Sequence, residues 1–240
     1  MQVSEPSIDY IAYEDVIMPL VLEKLIYPNM NKNYYWSDDF SAENYVALAK
    51  AGFISVTEKH QGEELLIPEI QYTYALLDFK DLHISKKVQK LLNKKFFVLD
   101  ISNDLDEVFE AINTLHKNSW LSSKYLNMLK EVQKLDSSVK VKSVTLREDG
   151  KVIAGEIGYV IGKTYTSLSG FSNKEKSYSN YGTVQLVLLS EYLENNGFDF
   201  WNLGHPYMDY KIALGAKVYT RKDFLKRWSE ATLQPLLHIG

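Results

Sequence analysis

Two stretches in the last third of the chain carry residue types suited to moving an acyl group. Ser177-Tyr-Ser-Asn-Tyr-Gly-Thr-Val-Gln-Leu186 reads as a polar turn opening an apolar helix. Gly197-Phe-Asp-Phe-Trp-Asn-Leu-Gly-His-Pro206 reads as a strand ending in Asn, Gly and His. Acyl or aminoacyl transfer needs an amine and an activated carbonyl held together in a desolvated cleft, with proton removal as a secondary aid. His205 is a candidate catalytic residue for that aid, because imidazole exchanges protons at neutral pH. Its place before Pro206 suits a structural role at the strand end equally well. Asn202 can orient a partner by hydrogen bonding but cannot take a proton.

The elements that must position these residues follow from periodicity and turn chemistry. Ser41 is expected to cap a helix running to Gly52, and short strands are expected at 53–56, 65–68 and 74–79 around the turn at Gln61-Gly62. Ser85 should cap a helix over 86–95, with Val88, Leu91 and Leu92 facing inward. A strand at 96–101 then leads to a helix capped by Ser102 or Asn103 and to another over 124–135. Strands at 141–146 and 152–161 flank Asp149-Gly150, a strong hairpin signal, and Gly162-Lys163 turns the chain into 164–169. A helix over 181–195, a strand at 198–203 and a short helix at 209–214 complete the pattern. Strand, two helices, three-stranded meander, helix and strand is the order of GNAT-like acyltransferases. The expectation is an α+β protein: residues 1–80 form a small α/β domain, and 81–240 a GNAT-like domain with a mixed sheet flanked by helices.

Composition narrows the class. The 240 residues are 45% hydrophobic and 24% charged, as in ordinary globular proteins, and no apolar run is long enough to span a bilayer. A cytoplasmic location without membrane contact is expected. Cysteine is absent and the five histidines lack metal-ligand spacing, so neither a thiolate nucleophile nor a bound metal is expected. The net charge of −4 is uneven. Residues 1–49 hold eight acids against two bases, 81–100 five lysines against two aspartates, and 211–228 six Lys or Arg against Asp223. An acetyl-CoA-dependent enzyme would need a glycine-rich turn whose free N–H groups cradle pyrophosphate. The turn Ser179-Asn-Tyr-Gly-Thr-Val184 has one glycine and no basic residue directly before it, which disfavours that donor.

Residues 36–225 resemble the bacterial leucyl/phenylalanyl-tRNA-protein transferases. The likeness rests on Leu82-His-Ile-Ser85, Ser119-Trp-Leu121, Leu214-Gly-Ala216 and the glycine-spaced meander from Val152 to Ser172 with its Ser-x-Phe-Ser ending. It implies transfer of an amino acid from aminoacyl-tRNA to the α-amine of a protein beginning with Arg or Lys, a mark for degradation under the N-end rule. No metal or nucleotide cofactor is implied, since the tRNA ester is already activated.

Through the same resemblance, Trp120 corresponds to a tryptophan at the aminoacyl-adenosine site, and Ser169 and Phe171 fall on the substrate-pocket strand; packing roles suit Trp120 and Phe171 as well. Lys86, Lys87, Lys90, Lys94 and Lys95 match a basic cluster used against tRNA. Such a face can follow phosphates without reading bases, or be simply solvated. The sequence also departs from the family. Paired tryptophans are replaced around Ile67-Pro-Glu-Ile-Gln71, and the Asp-x-Gln pair of the strand end reads Asn202 and Gly204. Glu156 stands where an apolar residue is usual, and Leu168 where a glutamate is. A buried carboxylate needs a partner, so Glu156 is expected to face solvent or meet a cation such as a substrate ammonium, changing specificity away from Leu and Phe. Other readings are a GNAT-fold enzyme using an acyl-CoA or another donor, a Fem-like tRNA-dependent transferase acting on peptidoglycan precursors, and an inactive module binding tRNA or protein amino termini.

Overall fold

The computed structural model describes residues 8–240. In the amino-terminal third, β1 (Asp9–Tyr10) pairs in parallel with β2 (Tyr35–Trp36), and between them lie α1 (Tyr13–Ile17), α2 (Pro19–Val21) and a π-helical turn, Leu22–Ile26. α3 (Ala42–Lys50) starts where the Ser41 hydroxyl accepts the Asn44 N–H at 3.2 Å. β3 (Ile54–His60) and β4 (Glu63–Glu69) form a separate antiparallel hairpin.

The large sheet takes β5 (Thr73–Leu77) and then, after α4 (Lys86–Leu92), β6 (Val98–Ser102). Next come α5 (Asp106–Leu115) and α6 (Ser123–Lys134), followed by the meander β7 (Val139–Glu148), β8 (Lys151–Ile161) and β9 (Thr164–Ser172). After α7 (Tyr181–Asn195) the chain forms β10 (Phe200–Asn202), α8 (Asp209–Ala213), β11 (Lys217–Thr220) and α9 (Arg221–Thr232). The β7–β8 turn uses Asp149 and Gly150 with φ of 49° and 78°, the left-handed pair that a tight hairpin of this kind requires. The helix after Ser85 is shorter than expected: it ends at Leu92, leaving Lys94 and Lys95 beyond it. α5 begins later than expected, and the Asp104 carboxylate, not Ser102 or Asn103, accepts the Asp106 N–H.

Strand order in the seven-stranded sheet is β11-β5-β10-β9-β8-β7-β6, antiparallel except where β10 runs parallel to β9. This mixed, helix-flanked sheet gives the α+β architecture expected from the element order. β5 lies on the amino-terminal side of a division at residue 80, yet it sits inside this sheet between β10 and β11. On one face, Val184, Val187, Leu189 and Leu193 of α7 bury against Val144, Leu146, Val160 and Trp201. On the other, α5 and α6 bring Val108, Ile112, Tyr125 and Leu129 onto Ile157, Tyr159 and Ile161, and α3 adds Tyr45 and Leu48. Each large apolar side chain so buried contributes roughly 1.5–3 kcal/mol before entropy is counted.

The sheet splits where the site forms. β10 pairs with β9 only along Thr164–Thr166, so from Ser167 to Ser172 β9 keeps β8 as its sole ladder partner and presents an open edge. The β8–β9 register also shifts between Ile157 and Gly158, which leaves Leu168 as an extra residue. Ser167 therefore faces α7 with Glu156, whereas Ser169 and Phe171 lie opposite Ile157 and Gly155 and face the other layer.

Candidate active site at the split of the sheet

A cavity of about 580 Å³ occupies this split. Its walls are the open edge of β9, the α5–α6 connection, the first turns of α7 and the segment from Leu203 to Lys211. Trp120, Glu156, Ser169 and Phe171 all line it. Trp120 is half-buried and meets Tyr125 edge to face at 5.1 Å, so one ring serves both core and cavity wall. Phe171 owes its seat to Gly155, because a Cβ there would stand 3.0 Å from the Phe171 ring.

Glu156 does not face solvent. Alternation along β8 turns it toward α7, where it is 3% exposed. Its carboxylate accepts from the Tyr165 hydroxyl at 3.0 Å, the Ser167 hydroxyl at 2.6 Å and the Gln185 amide at 3.1 Å. Trp201 Nε1 in turn donates to Ser167 Oγ at 2.8 Å, which ties β10 into the network. Burial pushes the Glu156 carboxyl up, while these three donors and the charge of Lys211 draw it back.

No cation is ion-paired with Glu156 among the described residues, and the positive charge that acts on it at longer range is that of Lys211. α8 is short, and its one buried residue is this lysine. Nζ donates to the carbonyls of Leu203 at 2.5 Å and His205 at 2.7 Å. Burial lowers the Lys211 ammonium to about 8 against the opposing pull of the Glu156 carboxylate. The same carboxylate, after burial, helps push the Tyr210 phenol up to about 12. In the sequence Lys211 was counted only as part of a basic stretch. Its helix is only five residues long, too short for periodicity to mark Lys211 as inward-facing.

Asn202 and His205 stand outside the cavity lining. Asn202 is buried, and its Oδ1 accepts the Gly204 N–H at 3.0 Å, closing the turn that ends β10. Gly204 has φ of 72°, a conformation natural to glycine, and the chain turns there directly before His205. His205 Nε2 lies 2.6 Å from the Glu69 carboxylate and its ring stacks on Tyr207 at 5.0 Å. It reaches the cavity network through its backbone carbonyl. Lys86, Lys87, Lys90 and Lys94 are exposed along and just after α4, and Lys95 pairs with Glu148 at 2.8 Å.

Gly158 is a second close approach in the meander: a Cβ there would run into the Tyr165 ring and the Thr166 carbonyl. Gly158→Ala is expected to cost about 1–3 kcal/mol through forced displacement of Tyr165. Its effect on activity should exceed its effect on stability, because Tyr165 holds Glu156. Urea unfolding alongside an activity assay measures both.

A family model described as leucyl/phenylalanyl-tRNA protein transferase matches residues 76–229. A protein of that name from Flavobacterium johnsoniae is 25% identical over 154 residues, 62% of this chain and 69% of the relative. Another, from Pseudomonas putida strain W619, is 24% identical over 147 residues, 60% of this chain and 62% of the relative. Among solved structures, the crystal structure of FemX superposes with a TM-score of 0.46 at 9% identity, covering 62% of this chain and 60% of that one. The matched segment runs from β5 into α9 and so contains every wall of the cavity. The chain belongs to the leucyl/phenylalanyl-tRNA-protein transferase family.

Proposed function

We propose that the protein takes an amino acid from aminoacyl-tRNA and joins it to the α-amine at the amino terminus of an acceptor protein, marking that protein for degradation. The observation that carries this reading is the cavity at the sheet split, where an aromatic wall of Trp120 and Phe171 faces a floor holding the buried Glu156 and Lys211. An aminoacyl-adenosine end presents a base that can stack on an aromatic ring and an ester that needs placing beside an amine. Trp120, Ser169 and Phe171 are assigned to the aminoacyl-adenosine, and the charged floor to the reacting groups. The reaction belongs in the cytoplasm, where charged tRNA and new protein amino termini meet. Among the described residues no helix is long and apolar enough to cross a membrane.

The test is transfer of labelled amino acids from a full set of charged tRNAs to a peptide beginning with Arg or Lys. Transfer from at least one tRNA is expected, and transfer from none overturns the reading.

The exposed lysines of α4 supply the tRNA contact in this proposal. Replacing Lys86, Lys87 and Lys90 with alanine should weaken tRNA binding and flatten its dependence on salt by up to about three on the log–log slope. Lys95→Ala should have a smaller effect, because its ammonium is already paired with Glu148. Filter binding at several salt concentrations reads both.

A further inference from the structure

We propose that Lys211 is the proton-transferring catalytic residue of this site, acting as general base toward the attacking amine and then as general acid toward the leaving ribose oxygen. This rests on the aminoacyl-transfer reading and assigns the step that neither His205 nor Asn202 is placed to perform.

Geometry leads the argument. Lys211 lines the cavity with Glu156, and its Nζ has two protein acceptors, the carbonyls of Leu203 and His205. A neutral amine has two N–H groups and one lone pair, so those carbonyls satisfy it fully and leave the lone pair free. The anchoring carbonyls belong to the segment that closes β10, which fixes Nζ in the wall of the cavity. Burial favours the neutral form, and the ammonium titrates near 8, close to working pH.

The charged and titratable neighbours are consistent with this role. Glu156 reaches in from β8 and supports the protonated state that forms during reaction, and Tyr165 of β9 donates to Glu156 and adds no charge. Tyr210, beside Lys211 on α8, is a phenol held neutral by burial, and its pKa of about 12 keeps it so. His205 offers Lys211 its carbonyl while its ring faces Glu69 of β4, so the imidazole is directed elsewhere.

The chemistry balances without a cofactor. A neutral acceptor amine enters, and its nitrogen forms a bond to the ester carbonyl carbon. Lys211 Nζ takes the proton that this nitrogen must shed. The bond from the carbonyl carbon to the ribose oxygen then breaks, the oxygen leaves with its electron pair, and the Lys211 ammonium returns the proton to it. The products are an amide and a free ribose hydroxyl, with Lys211 neutral again.

The experiment is the pH profile of kcat/KM for the full chain with charged tRNA and an Arg-peptide, comparing wild type with Lys211→Met and Glu156→Gln. It is paired with a ¹³C NMR titration of the lysine ε-carbons. The wild-type profile should fall toward acid with a limiting slope of about two, from the acceptor amine and Lys211 together. Lys211→Met should keep a slope of about one and lose roughly 100-fold or more in rate. One lysine resonance should titrate near 8 and vanish in Lys211→Met. Glu156→Gln should move that titration and the acid limb to lower pH, which decides the matter even if Lys211→Met fails to fold. Unchanged rate and slope in a folded Lys211→Met, or a Lys211 titrating above 10, overturns the proposal while leaving aminoacyl transfer intact. A wild type that transfers from no charged tRNA overturns both.

Discussion

Arg221→Ala is expected to cost about 4 kcal/mol or more of folding stability. The side chain is 1% exposed, and its guanidinium donates to five backbone carbonyls. Nε reaches Gln71 at 3.1 Å. Nη1 reaches Tyr27 at 3.4 Å and Asn29 at 2.6 Å, and Nη2 reaches Lys32 at 3.1 Å and Ile70 at 2.7 Å. One side chain thus ties the turn after the π-helical segment to the chain entering β5. Alanine leaves those acceptors without donors in a space from which water is largely excluded, at about 1–3 kcal/mol for each that finds no substitute. Domains of this kind are stable by only about 5–15 kcal/mol, so the variant should be marginal at best. Arg221→Lys, which keeps the charge but not the fork, should fall between the two. The urea midpoint read by circular dichroism measures the series, and a midpoint within error of wild type for Arg221→Ala would remove the hub from the account. Activity should be lost with the fold, since β5 flanks β10 and β10 leads into the Leu203–Lys211 wall of the cavity.

A pH effect on stability follows from Lys211. Its folded value lies below the 10.5 of a free lysine, so between about 8 and 10.5 the unfolded chain holds a proton that the folded chain does not. Unfolding free energy therefore gains from this group as pH rises through that window, and its contribution is least below about 8. Melting of wild type against Lys211→Met across the window isolates the term from the other titrating groups.

Local signals made much of the fold legible in the sequence. Asp149-Gly150 specified a hairpin because few other pairs tolerate two left-handed residues in succession. Ser41 and Ser85 specified helix starts because their hydroxyls can accept a first-turn N–H, as both do here at 3.2 and 3.3 Å. The place of β5 between β10 and β11 was not legible: periodicity marks a strand but not its partners, and the pairings span more than a hundred residues. The site shows the same boundary. Trp120, Ser169 and Phe171 stood out through motif likeness and do line one cavity. The setting of His205 depended on a carboxylate on β4, 136 positions away in sequence. Lys211 was hidden in a charge count because burial is a property of the assembled sheet split, and its helix alone is too short to announce an inner face.

Glu156→Leu is expected to abolish transfer and to lower stability by about 3–5 kcal/mol, although leucine nearly matches glutamate in volume. Steric fit is not the issue. The carboxylate partners three donors from β9 and α7, and it opposes the charge of Lys211 across the cavity floor. Leucine leaves a phenol, a hydroxyl and an amide without acceptors, and removes the counter-charge of a buried lysine, which then sheds its proton more readily. Glu156→Gln separates these losses. It retains an oxygen for the Tyr165 and Ser167 hydroxyls, and rotation of the Gln185 amide can restore the third contact, so stability should fall by less than about 1.5 kcal/mol. Because that variant stays folded, it is also the one on which amino-acid preference can be read. A neutral floor should accept apolar aminoacyl groups more readily than the native charged one, shifting transfer toward Leu and Phe across the panel of charged tRNAs. A lowered rate with unchanged preference would confine Glu156 to setting the protonation of Lys211 and would leave selection to the aromatic wall of Trp120 and Phe171.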